Sequence, residues 1–488
     1  MAGDLPCCGV RSRSDPAGSG LRSYGVGLSP VSYAAAVSLS LVVGFFLSQP
    51  FLYPYLLAGV AVLLVVLAPP SVLPAVALGL AAGLCEPIPA LAGYKGQAAA
   101  VVVAAVAAFR AWGRSAPTAL QTYAAAAVAG FAAFQFVVGL SVTPEVAGVA
   151  ISSLPYALIA LLLLVARRET IRQALMVLAA ASAVVAVLQV LSTVTGTVVI
   201  PGAFRQLPFE FGPLALERTY TYALPLFVFG FLWSLSTFFT PGRSLLVHGA
   251  TVVSFLAIVA TGFRLVYVAA SIAAVGVMLL RASHGSRRYV ATVAGVASLA
   301  AGLLAFSGPL SQGIEEVSTG SGTYSVRADL ARDVGLQLEA RPVFGAGFAA
   351  TEPGAVTPGV PVSISPGSGV YQSSDSSYAS LLVRYGVVGT ALVVAFLAWA
   401  VRSGFRLHRT SARYGDLSLV LLGYIVYAVM AGIGNDSLIS ITSLGVVGFL
   451  MGGALAAMDD RVHGSAATGT LLQGRQRSVV VPAGAQQH

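Results

Sequence analysis

Charge is what this sequence has least of. Only 9% of its 488 residues are Asp, Glu, Lys or Arg, and 57% are apolar, whereas about a quarter of a soluble chain is charged. So little polar surface cannot cover a water-exposed particle of this size, which excludes a soluble globular fold and makes lipid the solvent for most of the chain. Lysine is almost missing, with Lys95 the one lysine among 27 basic residues. Cysteine is scarce: Cys7, Cys8 and Cys85 form neither a disulfide framework nor a metal-ligand spacing. The first 24 residues lack an apolar stretch followed by a cleavage site, so the first span itself is expected to direct insertion.

A net charge of +9 would fit a nucleic-acid partner only if the basic residues formed a stripe or a helix face. They sit singly or in small groups between long apolar runs, a pattern that sets orientation in a membrane. A span needs roughly 20 apolar residues. Fourteen are expected, near 31–48, 51–68, 71–86, 96–109, 118–140, 148–166, 173–195, 220–240, 245–262, 264–280, 289–307, 377–401, 416–433 and 438–457. Pro50, Pro54, Pro69, Pro70 and Pro74 punctuate the first three, which can kink or re-enter there. With the N-terminus inside, 19 of the 27 basic residues fall on cytoplasmic segments and 12 of the 18 acidic ones outside, so both termini are expected in the cytoplasm.

These counts divide the chain into a polar cytoplasmic tail (1–30), a membrane domain (31–458) and a disordered cytoplasmic tail (459–488). The fold class is an all-α polytopic membrane protein with one large extracytoplasmic loop, 308–376, and a smaller outer loop, 196–219. The large loop holds 11 glycines and 6 prolines, which favour irregular backbone. Its centre differs: Tyr324–Ala340 lacks proline and spaces Val326, Leu330, Val334 and Leu338 four apart. This predicts an amphipathic helix along the outer membrane surface, stopped where Arg341 precedes Pro342, and followed by a lid rich in Gly, Ser and Pro.

The eight basic residues left outside are Lys95, Arg205, Arg218, Arg264, Arg327, Arg332, Arg341 and Arg384. Arg264 stands out, because it sits in a tight turn between two apolar spans with no other charge nearby. An interfacial arginine that snorkels to headgroups explains it blandly; an ionisable residue at membrane depth points to function. Arg218 opens the span after the 196–219 loop and has a helix-start pairing with Glu217 as its ordinary explanation. Arg327, on the predicted interfacial helix beside Asp329, taken by itself reads more readily as part of a solvated face. Asp375 at the mouth of the twelfth span is accounted for by helix capping, and is also a candidate general base. Several arginines at an outer membrane surface suit a diphosphate, because planar guanidinium forks bind phosphate oxygens in pairs and stay charged.

In their order along the chain, four elements resemble the O-antigen ligase and polymerase (Wzy) superfamily. They are Arg327-Ala328-Asp329-Leu330, Arg341-Pro342-Val343-Phe344-Gly345-Ala346-Gly347-Phe348, Asp375-Ser376-Ser377-Tyr378 and Arg384-Tyr385-Gly386-Val387-Val388-Gly389. Thr261-Gly262-Phe263-Arg264 is similar to that family's S-R element, and Arg218 falls where the family has an arginine that begins a span. The resemblance covers roughly 170–450.

It implies a GT-C-like fold and metal-independent inverting glycosyl transfer from undecaprenyl diphosphate at the outer face of the bacterial cytoplasmic membrane, with no cofactor. By the same resemblance, Arg218, Arg264 and Arg327 hold the diphosphate, and the catalytic region runs from about 196 to 400. Ligases of the family carry a histidine followed by asparagine where this chain has Asp375-Ser376, an aspartate closer to the polymerases. The expected activity is polymerisation of lipid-linked repeat units for exopolysaccharide or other cell-envelope glycan. Expected partners are the undecaprenyl-diphosphate-linked glycan, membrane lipid and other polysaccharide-assembly proteins, not nucleic acid. A ligase acting on a lipid, cell-wall or protein acceptor is the alternative. A lipid-linked oligosaccharide transporter is a second, which the absence of a clear internal repeat disfavours.

Overall fold

The structure, a computed structural model, describes residues 65, 67–84, 94–142, 146–197, 199–200, 203–211, 214–238, 245–281, 335, 338–348, 376–433, 438 and 440–458. All of them lie in Leu64–His488, one of two compact units of the chain; the other is Met1–Leu63. The expected spans 31–48 and 289–307, nearly all of 51–68, most of the loop 308–376 and both polar tails lie outside the described residues.

Among the described residues stand eleven α-helices, each coinciding with one expected span. They are α1 Leu73–Ala81, α2 Tyr94–Trp112, α3 Ala119–Val142, α4 Val146–Val165, α5 Ile171–Thr195, α6 Leu224–Phe238, α7 Leu245–Ala260, α8 Arg264–Arg281, α9 Ser377–Thr410, α10 Gly415–Ala431 and α11 Ile441–Met458. Ala, Leu and Val dominate them, so the backbone satisfies its own hydrogen bonds, and several Ser and Thr hydroxyls within them donate back to carbonyls four residues earlier. Five are long and apolar enough to cross a membrane: α3, α4, α5, α9 and α11. Helices α6, α7, α8 and α10 are apolar but shorter.

Helix α1 has only 9 residues against the 16 expected. Pro74 starts it, and Gly83, with φ of 71°, ends it, so at 1.5 Å per residue it covers about 14 Å and cannot cross alone.

One element is not helical. The loop expected at 196–219 is an antiparallel hairpin, β1 (Ala203–Phe211) paired with β2 (Leu214–Thr221), and β2 packs on α5 and α7. Two residues, Gly212 and Pro213, separate the strands, a turn signal between two runs of strand length. The membrane segment that follows therefore begins at Leu224, with Pro225 in its first turn, and not at residue 220.

The core is centred on α11, buried along nearly its whole length against α4, α6, α9 and α10. Its glycines permit that depth. A Cβ on Gly448 would lie 3.1 Å from Ile159 Cα, and one on Gly452 would lie 2.7 Å from the Leu163 oxygen, so α11 and α4 meet backbone to backbone. Outward-facing Phe109, Tyr123, Leu245 and Leu246 are mostly exposed, as side chains facing lipid must be.

The few polar groups gather at one end of the bundle. The Arg110 guanidinium donates to the Ala68 oxygen at 2.8 Å and the Val65 oxygen at 3.3 Å. Arg167 donates to the Ser115 oxygen at 3.1 Å and the Leu164 oxygen at 2.6 Å, and burial pulls its pKa below the ordinary value. Gln121 Nε2 lies within 3.0 Å of the Leu163, Ala166 and Gly452 oxygens and so ties three helices together. Arg281 pairs with Asp416 at 2.5 Å, joining the end of α8 to the start of α10. All four clusters lie on segments that charge counting assigns to the cytoplasm.

Substituting Gly452→Val should drive a methyl group into the α4 backbone and destabilise the bundle by about 1–3 kcal/mol. Thermal unfolding of the detergent-purified protein, compared with a Gly130→Ala control that meets nothing within 4 Å, reads that loss.

Candidate functional site

Hydrogen bonds join the turn 342–348 to α3 and α9 and tie the start of α9 to the connection between α10 and α11, and β2 lies against α5 and α7. Arg264 is the first residue of α8. The turn before it is held closely: Thr261 Oγ1 donates to the Ile258 oxygen at 2.7 Å, Gly262 takes φ of 71°, and Tyr267 Oη donates to the Val259 oxygen at 3.0 Å. The backbone at Arg264 is therefore fixed where α7 and α8 meet, as the sequence predicts.

Arg218 is placed differently from expectation. It lies in strand β2, paired with Leu207, instead of opening a helix. The continuous run from Tyr220 into apolar residues hid the hairpin, whose sequence signal was the Gly212-Pro213 pair between two short runs. Strand β2 touches α7, the helix that leads into the Arg264 turn. Arg205, not singled out from sequence, pairs with Tyr220 two register steps from the Leu207–Arg218 pair, the spacing at which strand positions share a face. Arg327 and Asp375 lie outside the described residues.

The residues immediately after Asp375 are anchored. Ser377 N donates to the Gly432 oxygen at 2.9 Å, Ser377 Oγ accepts from Leu438 N at 3.1 Å, and Tyr378 Oη donates to the Val429 oxygen at 2.7 Å. The start of α9 is thereby tied to the connection between α10 and α11. Of the amphipathic helix expected over Tyr324–Ala340, the described part (Gly335 and Leu338–Ala340) is helical and gives way at Arg341, before Pro342.

The best-defined construction at this end joins two motifs that sequence reading set side by side only in order. Helix α9 breaks at Gly386, whose φ of 61° and ψ of −169° are closed to other residues. A break frees carbonyls on one side and amides on the other. Here the turn 342–347 meets both sets. Ala346 N donates to the Val383 oxygen at 2.9 Å and Gly347 N to the Arg384 oxygen at 2.6 Å. In return, Val387 N donates to the Pro342 oxygen at 2.9 Å and Val388 N to the Val343 oxygen at 3.2 Å. Phe348 N adds a bond to the Gln135 oxygen of α3 at 3.1 Å. A Cβ on Gly386 would collide with the Val343 carbonyl, and one on Gly345 would lie 2.5 Å from the Arg384 carbonyl. The P-x-x-G-x-G and Y-G-x-x-G elements are thus two halves of one backbone lock.

Beneath the lock lies an aromatic shelf of Phe131, Tyr156, Phe348 and Tyr385, with ring centroids 5.3–6.0 Å apart. Tyr156 Oη donates to Tyr385 Oη at 2.6 Å, which satisfies both buried hydroxyls. Among the described residues no group of His, Cys, Asp or Glu is disposed to hold a metal ion.

Residues 249–394 match the family described as O-antigen ligase. The matched segment contains Arg264, Arg327, Arg341, Asp375 and Arg384 and leaves Arg218 outside. The match agrees with the superfamily that the sequence resembles. No curated protein matches the chain. Among solved structures, one chain from the work entitled "Structural coordination of polymerization and crosslinking by a peptidoglycan synthase complex" is similar at 16% identity and a TM-score of 0.40, over 69% of this chain and 96% of that one.

Gly386→Ala should cost about 2 kcal/mol or more, from a disfavoured backbone conformation and a clash with Val343. A lowered thermal midpoint, against an unchanged Gly249→Ala control in open space, is the expected result.

Proposed function

We propose that this chain, a membrane protein whose residues 249–394 match the O-antigen ligase family, polymerises undecaprenyl-diphosphate-linked repeat units at the outer face of the cytoplasmic membrane. The family match carries the glycan-transfer part of this reading, because it spans the turn at Arg264, the large loop and the start of α9 in one segment.

In the proposed reaction an acceptor hydroxyl oxygen attacks the anomeric carbon of the donor sugar. The bond from that carbon to the diphosphate oxygen breaks, undecaprenyl diphosphate leaves with the electron pair, and the configuration inverts. Arg218, Arg264 and Arg327 are assigned to the diphosphate, where preorganised positive charge stabilises the developing anion. The free amides at the start of α8 add to the positive field around Arg264. Asp375 is assigned to take the hydroxyl proton. The diphosphate linkage supplies the driving force.

Ligase-type transfer to a different acceptor uses the same leaving group, and the family's description as O-antigen ligase favours it as the second reading. Asp375-Ser376, in place of histidine and asparagine, favours the polymerase.

Deleting the gene and profiling lipid-linked glycans separates them. Accumulation of single repeat units with loss of long chains supports polymerisation. Long chains left on undecaprenyl diphosphate indicate ligation, and substrate held on the cytoplasmic face indicates transport. Arg264→Lys should lose most transfer activity at normal protein level, because an ammonium cannot make the forked contact; full activity in that variant removes Arg264 from the site.

A further inference from the structure

A groove opens beside the lock at the end of α3. It encloses about 360 Å³ and is lined by Val138, Ser141, Val142 and the turn Arg341–Gly345. Its walls are apolar: Val343 and Phe344 are nearly half exposed, and Val137 and Phe134 extend the same surface along α3. Its one charge is Arg341, exposed at the rim, and among the described residues this guanidinium has no hydrogen bond or ion pair. Among the described residues no acidic side chain lines the groove.

We propose that this groove seats one anionic phospholipid of the surrounding bilayer, with its phosphate on Arg341 and one acyl chain against Val138, Val142, Val343 and Phe344. A sugar is a poor occupant, because, Arg341 apart, the groove's hydroxyl and the carbonyls of Pro342 and Val343 are already engaged. Ser141 Oγ donates to the Val138 oxygen at 2.6 Å, and the Pro342 and Val343 oxygens accept from Val387 and Val388. The space equals about a dozen water-sized volumes of ~30 Å³, enough for part of one chain. A single guanidinium matches a single phosphate, and a zwitterionic headgroup adds a cation that Arg341 repels. The position fits as well, because the last turn of a 24-residue apolar helix lies at headgroup level, where arginines reach lipid phosphates. A lipid held there packs on the outer side of the 342–347 turn and ties the lock to bilayer composition. The proposal stands apart from the transferase reading.

The test is native mass spectrometry of the full chain from nanodiscs of equal phosphatidylglycerol and phosphatidylcholine. Wild type should retain phosphatidylglycerol with about tenfold preference, the scale of one charge-assisted bond. Arg341→Gln should lose the preference, and Val142→Trp, which fills the groove with Arg341 intact, should lose the lipid. Thermal midpoints show whether each variant folds; should one fail, the other carries the test. Equal retention of both lipids by wild type, or an unchanged preference in folded Arg341→Gln, would overturn the proposal. So would a retained polyprenyl diphosphate in place of the phospholipid, which would make the groove a donor site. Loss of glycan transfer with lipid preference intact would sink the transferase reading alone.

Discussion

A polypeptide inside a bilayer has no water to which a free backbone group can turn. Each amide or carbonyl left open at membrane depth costs several kcal/mol, so a helix can break there only where another segment supplies partners. Helix α9 breaks at Gly386, and the turn 342–347 supplies two donors and two acceptors in reciprocal order. The rest of this end of the molecule follows from that exchange. It fixes Phe348 over Tyr156 and Tyr385, brings Arg341 to the mouth of a groove, and sets the piece of α9 that begins at Ser377 against the α10–α11 connection. Three glycines, Gly345, Gly347 and Gly386, are required because backbone meets backbone at each.

The same economy governs the opposite end. Arg110, Gln121 and Arg167 all donate to main-chain oxygens, and Arg281–Asp416 is a side-chain ion pair that joins two helices there. Gln121 and Arg167 both reach carbonyls in the last turn of α4, where a helix leaves them free. One end is thus stitched by arginine and glutamine, and the other carries the hairpin and the backbone lock.

Hydropathy made the helices legible, because a span is specified by length and apolarity alone, and every described helix coincides with an expected one. What hydropathy could not show was irregular backbone. The hairpin was hidden because its strands run into an apolar helix, although the Gly212-Pro213 pair between them carried a turn signal. The break at Gly386 was invisible because helical hydropathy continues on both sides of it. The site was legible as residue types in a familiar order, and Arg264 stands at the helix start its turn predicts. That Arg341–Phe348 would clasp Val383–Val388 depends on contacts some forty residues apart, which no local pattern encodes.

The most direct measurement of this account is hydrogen–deuterium exchange of the full chain in lipid nanodiscs, read on peptides spanning 342–348 and 384–389. Reciprocal bonding predicts slow exchange at the amides of Ala346, Gly347, Val387 and Val388, comparable to the interior of α11, despite the helix break between them. Exchange at those four amides as fast as in an open surface turn would contradict it.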